Sequence, residues 1–473
     1  MIKWPDGGEV ILFKSGCFHL NFTFHELWTM NTTSDNTTLT SIQNSERIIS
    51  LDVMRGIVLC GILLMNINGF GLGFAYNDPS ILGGDTGLNL GTWMVTNLFF
   101  EGTMRALFSL LFGVGMFIFL DRLMKKGAGI NAADIYFRRI TWLLIFGLVH
   151  GYLLLWVGEI LFNYALMGFL VYSFRNMVPK KLILTALVLF GIGTAWNYED
   201  YRKDSKWFAK VQQAEVLIAS DQELPKELKT AKENWDKREA KRSPEVTSEF
   251  TKEMQKGYFS VLNHLSPIMY DFNVTDPYRG DLWDVLSMML IGIALFRWGL
   301  LSGEKPALPY WLMIGIGYPL GIAINYYEMQ LILDANFSTL SFSQSNITYY
   351  WGRIFVAMGH VGLIMLFCKT PIFGWLKTSL AAVGKMALTN YMMHSVFCMF
   401  VFTGVGFGLF GQLERFELLY VVFSIWIFQL IVSPIWLRYF HFGPMEWLWR
   451  WLSYQQKPRF RKEIGKSVSL ATG

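Results

Sequence analysis

Runs of mostly apolar residues recur along this chain at 50–70, 93–121, 138–157, 159–175 and 180–197, and again at 284–302, 308–327, 350–368, 380–404 and 417–439. Each has close to the roughly 20 residues that a helix needs to cross the hydrocarbon of a bilayer. The pattern predicts an all-α fold, a polytopic transmembrane helical bundle of about ten spans. Between the fifth and sixth runs, Ser205 to Lys256 is rich in Lys, Glu, Ala and Gln, the composition of solvated helix. Residues 198–282 are therefore expected to form a small helical extracytoplasmic insert, acting either as a lid over an outward-facing cavity or as a plain spacer. The expected organisation is a disordered or extended tail at 1–46, a first membrane half at 47–197, the insert at 198–282, a second membrane half at 283–441 and a cytoplasmic tail at 442–473. Met30 opens a polar run of Asn and Thr, so the residues before it read either as an extension upstream of the true start or as a tail.

The loops supply an orientation. Arg122, Lys125, Lys126, Arg138 and Arg139 follow the second run, Arg175, Lys180 and Lys181 the fourth, Lys305 the sixth, Lys369 and Lys377 the eighth, and Arg450, Lys457, Arg459, Arg461 and Lys462 the last. Every second loop is basic, which places both termini in the cytoplasm by the positive-inside rule. Composition agrees with a membrane setting, since 53% of the 473 residues are hydrophobic and only 16% are charged, against about 25% charged in soluble domains. The net charge of +5 is spread over short loops instead of forming a patch, which argues against a nucleic-acid partner. Cys17, Cys60, Cys368 and Cys398 lie far apart, so neither a disulfide framework nor a metal site is expected.

Polar groups inside spans cost about 2.5–3.5 kcal/mol each on insertion scales, which makes them the informative residues. Asp52 and Arg55 sit at one end of the first run, spaced to pair, and Asn66 and Asn68 at the other. Glu101, Arg105 and Ser109, at spacings of four, are expected to share one helix face, either neutralising one another or lining a cavity. The segment GLVHGYLLLWVGEILFNYALMG, from Gly147, carries His150, Glu159, Asn163 and Tyr164. A His with a carboxylate partner has the chemistry of a general base, although packing is the commoner use of a lone His. GKMALTNYMMHS, from Gly384, adds Asn390, Tyr391 and His394, which either contact a substrate or bond between helices. No Walker loop, G-x-S-x-G, H-E-x-x-H or paired-Cys motif is present.

RIISLDVMRGIVLCGILLMNI from Arg47, FFEGTMRALFSLLFGVG from Phe99, the run around His150 and Glu159, GKMALTNYMMHS and FGPMEWLWRWLSY from Phe442 closely resemble the YeiB-like family of bacterial membrane proteins, a domain of unknown function, in order over nearly all of residues 46–460. That family is similar to membrane acyltransferases of the heparan-alpha-glucosaminide N-acetyltransferase type, which move an acyl group from a cytoplasmic thioester to an acceptor across the bilayer. The resemblance implies acyl transfer to a sugar, glycolipid or envelope-polymer acceptor at the bacterial inner membrane, with acyl-CoA as co-substrate and no permanently bound cofactor. The heparan enzyme carries its catalytic His in the loop after the first span, and between Gly69 and Thr92 this chain has none. His150 or His394 is the substitute on chemical grounds, with Glu159 orienting His150.

In that scheme Asn66, Asn68 and Asn390 polarise the acyl carbonyl, Glu101, Arg105, Asn163, Tyr164, Tyr391 and His394 line the substrate site, and Asp52, Arg55, Arg138 and Arg139 hold the donor. The rival expectation is a transporter or flippase for a small polar or amphiphilic solute, using the same buried polar groups. A structural subunit is the third. The partners expected are the lipid bilayer and a small-molecule or envelope-glycan substrate; the sequence is compatible with a homo-oligomer and does not require one.

Overall fold

All ten apolar runs are helical in the computed structural model, which describes residues 48–462 apart from positions 77 and 241. The tail expected at 1–46 and the final residues of the C-terminal tail lie outside the described residues. In order, the helices are α1 (Ile49–Gly71), α2 (Gly87–Phe99), α3 (Thr103–Lys125), α4 (Asn131–Leu153), α5 (Leu161–Val171) and α6 (Pro179–Ala219). They continue as α7 (Lys226–Ala240), α8 (Pro244–Met254), α9 (Tyr258–Asp276), α10 (Val285–Arg297), α11 (Leu308–Asp334) and α12 (Thr339–Ser345). The last five are α13 (Tyr349–Lys369), α14 (Gly374–Lys385), α15 (Ala387–Phe402), α16 (Leu418–Tyr439) and α17 (Pro444–Tyr454). Among the described residues the one β feature is a bridge between Phe440 and Arg461. The protein is an all-helical bundle.

Burial separates its centre from its lipid face. The most apolar window of α1 is 72% buried inside the protein, whereas those of α6, α11 and α16 are 22%, 22% and 28% buried. Exposed Leu184, Val188, Ile316, Leu320, Ile427 and Ile431 on those three helices need an apolar solvent. In α10 every residue from Val285 to Leu295 is buried, as expected of a helix apolar on all sides, and it packs between α3 and α6. Among the described residues, six helical segments are long and apolar enough to cross a membrane; Leu161–Phe174, Val285–Arg297 and Ala387–Phe402 are apolar but shorter, and α4, with Asp134, Arg138, Arg139 and His150, falls in neither group. The chain is a membrane protein.

Three of the predicted runs are cut short or interrupted. The expected 93–121 helix breaks at Phe100–Gly102, where Gly102 takes φ +65°, so Glu101 sits in the gap between α2 and α3 and not on a shared helix face with Arg105 and Ser109. A Cβ on Gly102 would collide with the Tyr349 hydroxyl. The second break is at Met386, between α14 and α15. The 159–175 run survives only as α5 and a single 3₁₀ turn; the 11 residues of α5 rise about 16 Å, well short of a bilayer core of about 30 Å.

The insert is helical as expected. It begins as a continuation of α6 and is seated on the bundle: Arg242 pairs with Asp78, the Met254 carbonyl accepts from Gly404 N at 3.0 Å, and the Tyr258 hydroxyl donates to the Leu153 carbonyl at 2.9 Å.

Candidate functional site

The turn between α4 and α5 carries Glu159 just ahead of a helix start. Its Oε1 accepts the Leu161 backbone N–H and its Oε2 the Phe162 backbone N–H, both at 2.8 Å, so the carboxylate caps α5 at the positive end of the helix dipole. Gly147, one turn before His150 on α4, makes this possible: a Cβ there would lie 2.7 Å from Glu159 Oε2 and strike the Phe162 backbone. His150 Nδ1 lies 3.1 Å from Glu159 Oε1, and His150 Nε2 lies 2.7 Å from Ser395 Oγ on α15. An ionised carboxylate only accepts, so Nδ1 carries the proton and Nε2 is left to accept the Ser395 O–H. The resulting Ser–His–Glu order is that of a hydrolase triad, buried within the bundle.

The expected His150–Glu159 pair is therefore present, with a third member that sequence reading passed over. The signal for it was spacing. Tyr391, Ser395 and Cys398 follow one another at four and three residues on α15 and so share a face.

A central cavity of about 520 Å³ lies against this array. Asn66, Glu101, Arg105, Glu159, Asn163 and Tyr391 supply its polar wall, and Phe250, Met254, Leu265 and Ile268 of the insert part of its apolar wall. The Tyr391 ring packs edge-on to His150, centroids 4.8 Å apart. The Tyr391 hydroxyl and the Trp156 indole N–H are both buried without a hydrogen-bond partner, although Trp156 and the Ile160 backbone are polar neighbours of that hydroxyl. Two unspent donors in one cavity wall are unusual, because buried polar groups are nearly always satisfied.

Tyr391 also lines a second, basic cavity of about 240 Å³ at the other end of the site. Arg55, Arg122, Arg139, Lys385 and Arg450 surround it, with Asp52 and Glu446. Arg55 bonds Asp52 at 3.0 Å, and the Arg139 guanidinium lies 3.4 Å from the centroid of a Trp449 ring. Glu446 accepts the Leu388 and Thr389 backbone N–H groups at 2.7 and 3.1 Å, capping α15 as Glu159 caps α5.

On the opposite side, Met65, Tyr76, Glu101 and Tyr349 separate the central cavity from a polar vestibule of about 780 Å³ beneath the insert. Glu101 accepts the Tyr76 hydroxyl at 3.1 Å and the Tyr349 hydroxyl at 3.4 Å, while Arg105 bonds Asp284 at 2.5 Å. Arg415, in the loop before α16, bonds Asn68 Oδ1 at 3.1 Å and the Ala75 carbonyl. Burial pushes its guanidinium down to about 10, against the opposing pull of Tyr76, Glu101 and Asp78.

Several expected site residues line none of the three cavities. Asn68 is spent on Arg415 and on the Met65 carbonyl. Tyr164 is fully buried against Ser109, 2.8 Å away, and the Arg105 carbonyl. Asn390 bonds Ser433 at 3.1 Å and the Val383 carbonyl at 3.2 Å, and His394 Nε2 lies 3.1 Å from Gln429 Oε1, so these two tie α15 to α16 and line none of the three cavities. Arg138 pairs with Asp134 and does not line the basic cavity. Arg122, Lys385 and Arg450 line it instead; Arg122 and Arg450 are among the basic loop residues, whereas Lys385 lies inside the predicted 380–404 run.

A family model described as "Protein of unknown function (DUF418)" matches residues 295–456. The chain is 30% identical over 416 residues to "Uncharacterized protein YeiB" of Escherichia coli (strain K12), covering 86% of this chain and 96% of that one. It is also 30% identical over 433 residues to "Uncharacterized protein YxaH" of Bacillus subtilis (strain 168), covering 87% and 95% respectively. No solved structure matches the chain. The family model takes in Tyr391 and Ser395, while His150 and Glu159 lie in the half reached only by the full-length relatives.

Proposed function

Because the chain belongs to the YeiB-like family of proteins of unknown function (DUF418), no activity comes with the membership, and from the site itself we propose that it transfers an acyl group across the bilayer. The donor is a cytoplasmic thioester of the acyl-CoA type, and the acceptor is a sugar, glycolipid or envelope-polymer hydroxyl on the far side. The observation that carries this reading is Tyr391, which lines the basic cavity and the central cavity alike and packs against His150. A thioester with its phosphates among Arg55, Arg122, Arg139 and Arg450 directs its acyl end toward that residue. His150, oriented by Glu159, is the base. Tyr391 and Trp156, with the cavity-lining Asn66, are the donors for the oxyanion that forms at the acyl carbonyl, in place of Asn68 and Asn390.

The reading sets the basic cavity on the cytoplasmic side of a bacterial inner membrane, with both termini there and the insert outside. The alternation of basic loops supports that orientation. Isothermal binding of acetyl-CoA and longer acyl-CoA thioesters to the detergent-purified protein, compared with an Arg139→Ala, Arg450→Ala variant, tests it. Saturable binding that weakens at least tenfold in the variant is expected. No thioester binding by the wild type sinks the proposal.

One observation favours transport of a small polar or amphiphilic solute: the helix break at Glu101, between two cavities, is the kind of interruption that transporters use at their binding sites. Solute uptake into proteoliposomes without thioester turnover would select that alternative.

A further inference from the structure

We propose that Ser395 carries the acyl group covalently, so that transfer proceeds through a serine ester and not by direct attack of the acceptor on the thioester. The inference rests on the acyl-transfer reading above. Its basis is how Ser395 spends its hydroxyl. Elsewhere in the bundle Ser109, Ser424 and Thr403 donate to the carbonyl four residues back, at 2.7–2.8 Å, the usual way for a hydroxyl to be satisfied inside an apolar helix. Ser395 makes a single hydrogen bond among the described residues, to His150 Nε2 at 2.7 Å. The ring is held from behind by a carboxylate that two backbone N–H groups keep in place. This is the geometry that activates a serine: the base is within proton-transfer distance and its tautomer is set. Packing alone does not call for all three.

The steps balance. Ser395 Oγ adds to the thioester carbonyl as its proton passes to His150 Nε2, and negative charge collects on the carbonyl oxygen. Collapse breaks the C–S bond, the leaving thiolate takes the proton from His150, and the acyl group remains as an ester of Ser395. The acceptor hydroxyl then gives its proton to His150 while its oxygen attacks the ester carbonyl, and Ser395 Oγ leaves and recovers the proton. Donor and acceptor thus need not occupy the site together, which suits a site flanked by cavities on opposite sides. Ser395 is 1% exposed and lines neither cavity, whereas Tyr391 and Cys398 on the same helix face line the central one. Access for the carbonyl is along that shared face, past Tyr391.

The test uses a long-chain alkyl fluorophosphonate on the full-length protein in detergent, a reagent whose phosphorus captures an activated serine with loss of fluoride, run beside an acyl-CoA turnover assay. The expected result is an adduct on the peptide bearing Ser395 that is absent from Ser395→Ala and forms at least about 100-fold more slowly in His150→Gln. If Ser395→Ala does not fold, the His150→Gln rate carries the decision, with thermal unfolding as the fold control. A folded Ser395→Ala protein that turns over thioester at the wild-type rate overturns the covalent step and leaves acyl transfer standing, as does a wild-type protein that turns over thioester with no adduct. An adduct on Ser395 without turnover of any thioester supports the activated serine and removes acyl transfer.

Discussion

Replacing Tyr391 by Phe deletes one oxygen from a buried wall and should move stability and catalysis in opposite directions. The hydroxyl makes no hydrogen bond of normal distance and angle, with the Trp156 indole and the Ile160 backbone only nearby, and a poorly satisfied buried group of this kind costs up to about 1–3 kcal/mol. Phenylalanine keeps the ring that packs on His150, so little contact is lost. Tyr391→Phe should therefore unfold at a temperature equal to or above the wild type. If that hydroxyl donates to the oxyanion, its loss should cost about 2.7–4 kcal/mol of transition-state stabilisation, roughly a 10²–10³-fold fall in turnover, with thioester binding in the basic cavity little changed. Thermal unfolding of the detergent-purified protein reads the first effect, and acyl-CoA turnover with saturation binding reads the second. A variant that unfolds well below the wild type would mean the hydroxyl is bonded in the native protein, and one with wild-type turnover would mean it donates to nothing in the reaction. Either outcome refutes the reasoning.

Glu159→Gln should lower both quantities, because an amide accepts at only one of its two ends and no longer fixes the His150 tautomer; turnover should fall by about 10³–10⁴-fold, checked in the same assay. Gly147→Ala should lower the unfolding temperature and slow turnover, since its Cβ displaces Glu159 and the α5 start. Glu328→Gln strips the carboxylate from Arg353, which is buried with it and with Asn325, and should destabilise the fold by about 3–5 kcal/mol, seen as a drop in thermal midpoint.

How much of this was legible in the sequence depends on what each residue had to reveal. Apolar length is a local property, so every predicted run is helical and the polar 198–282 insert folds as helices seated on the bundle. The pairing of His150 with Glu159 was legible because nine residues containing a turn bring them together. Ser395 lies 245 residues from its histidine, and nothing in one sequence encodes that meeting. The same limit explains Asn390 and His394: a polar face on an apolar helix announces that something is bonded, and in the structure Ser433 and Gln429 on α16 are bonded there. Arg138 and Arg139 are adjacent and chemically equal, yet a step of about 100° round the helix sends one to Asp134 and the other over Trp449.

The chemistry lies where helices break and restart, and the two facts share a cause. A continuous helix satisfies its own backbone and presents nothing but side chains, whereas a helix that restarts inside the bundle exposes N–H groups that must find acceptors in an apolar medium. At Leu161 and at Leu388 those acceptors are the carboxylates of Glu159 and Glu446, each held at a positive helix end and each lining a cavity. The break thus does two jobs with one side chain. It gives the free N–H groups their acceptor, and at Glu159 the same carboxylate accepts from His150 Nδ1–H and leaves Nε2 toward the Ser395 hydroxyl. Joining α4 to α5 as one straight helix would take away the free N–H groups that hold Glu159 and with them its hold on His150.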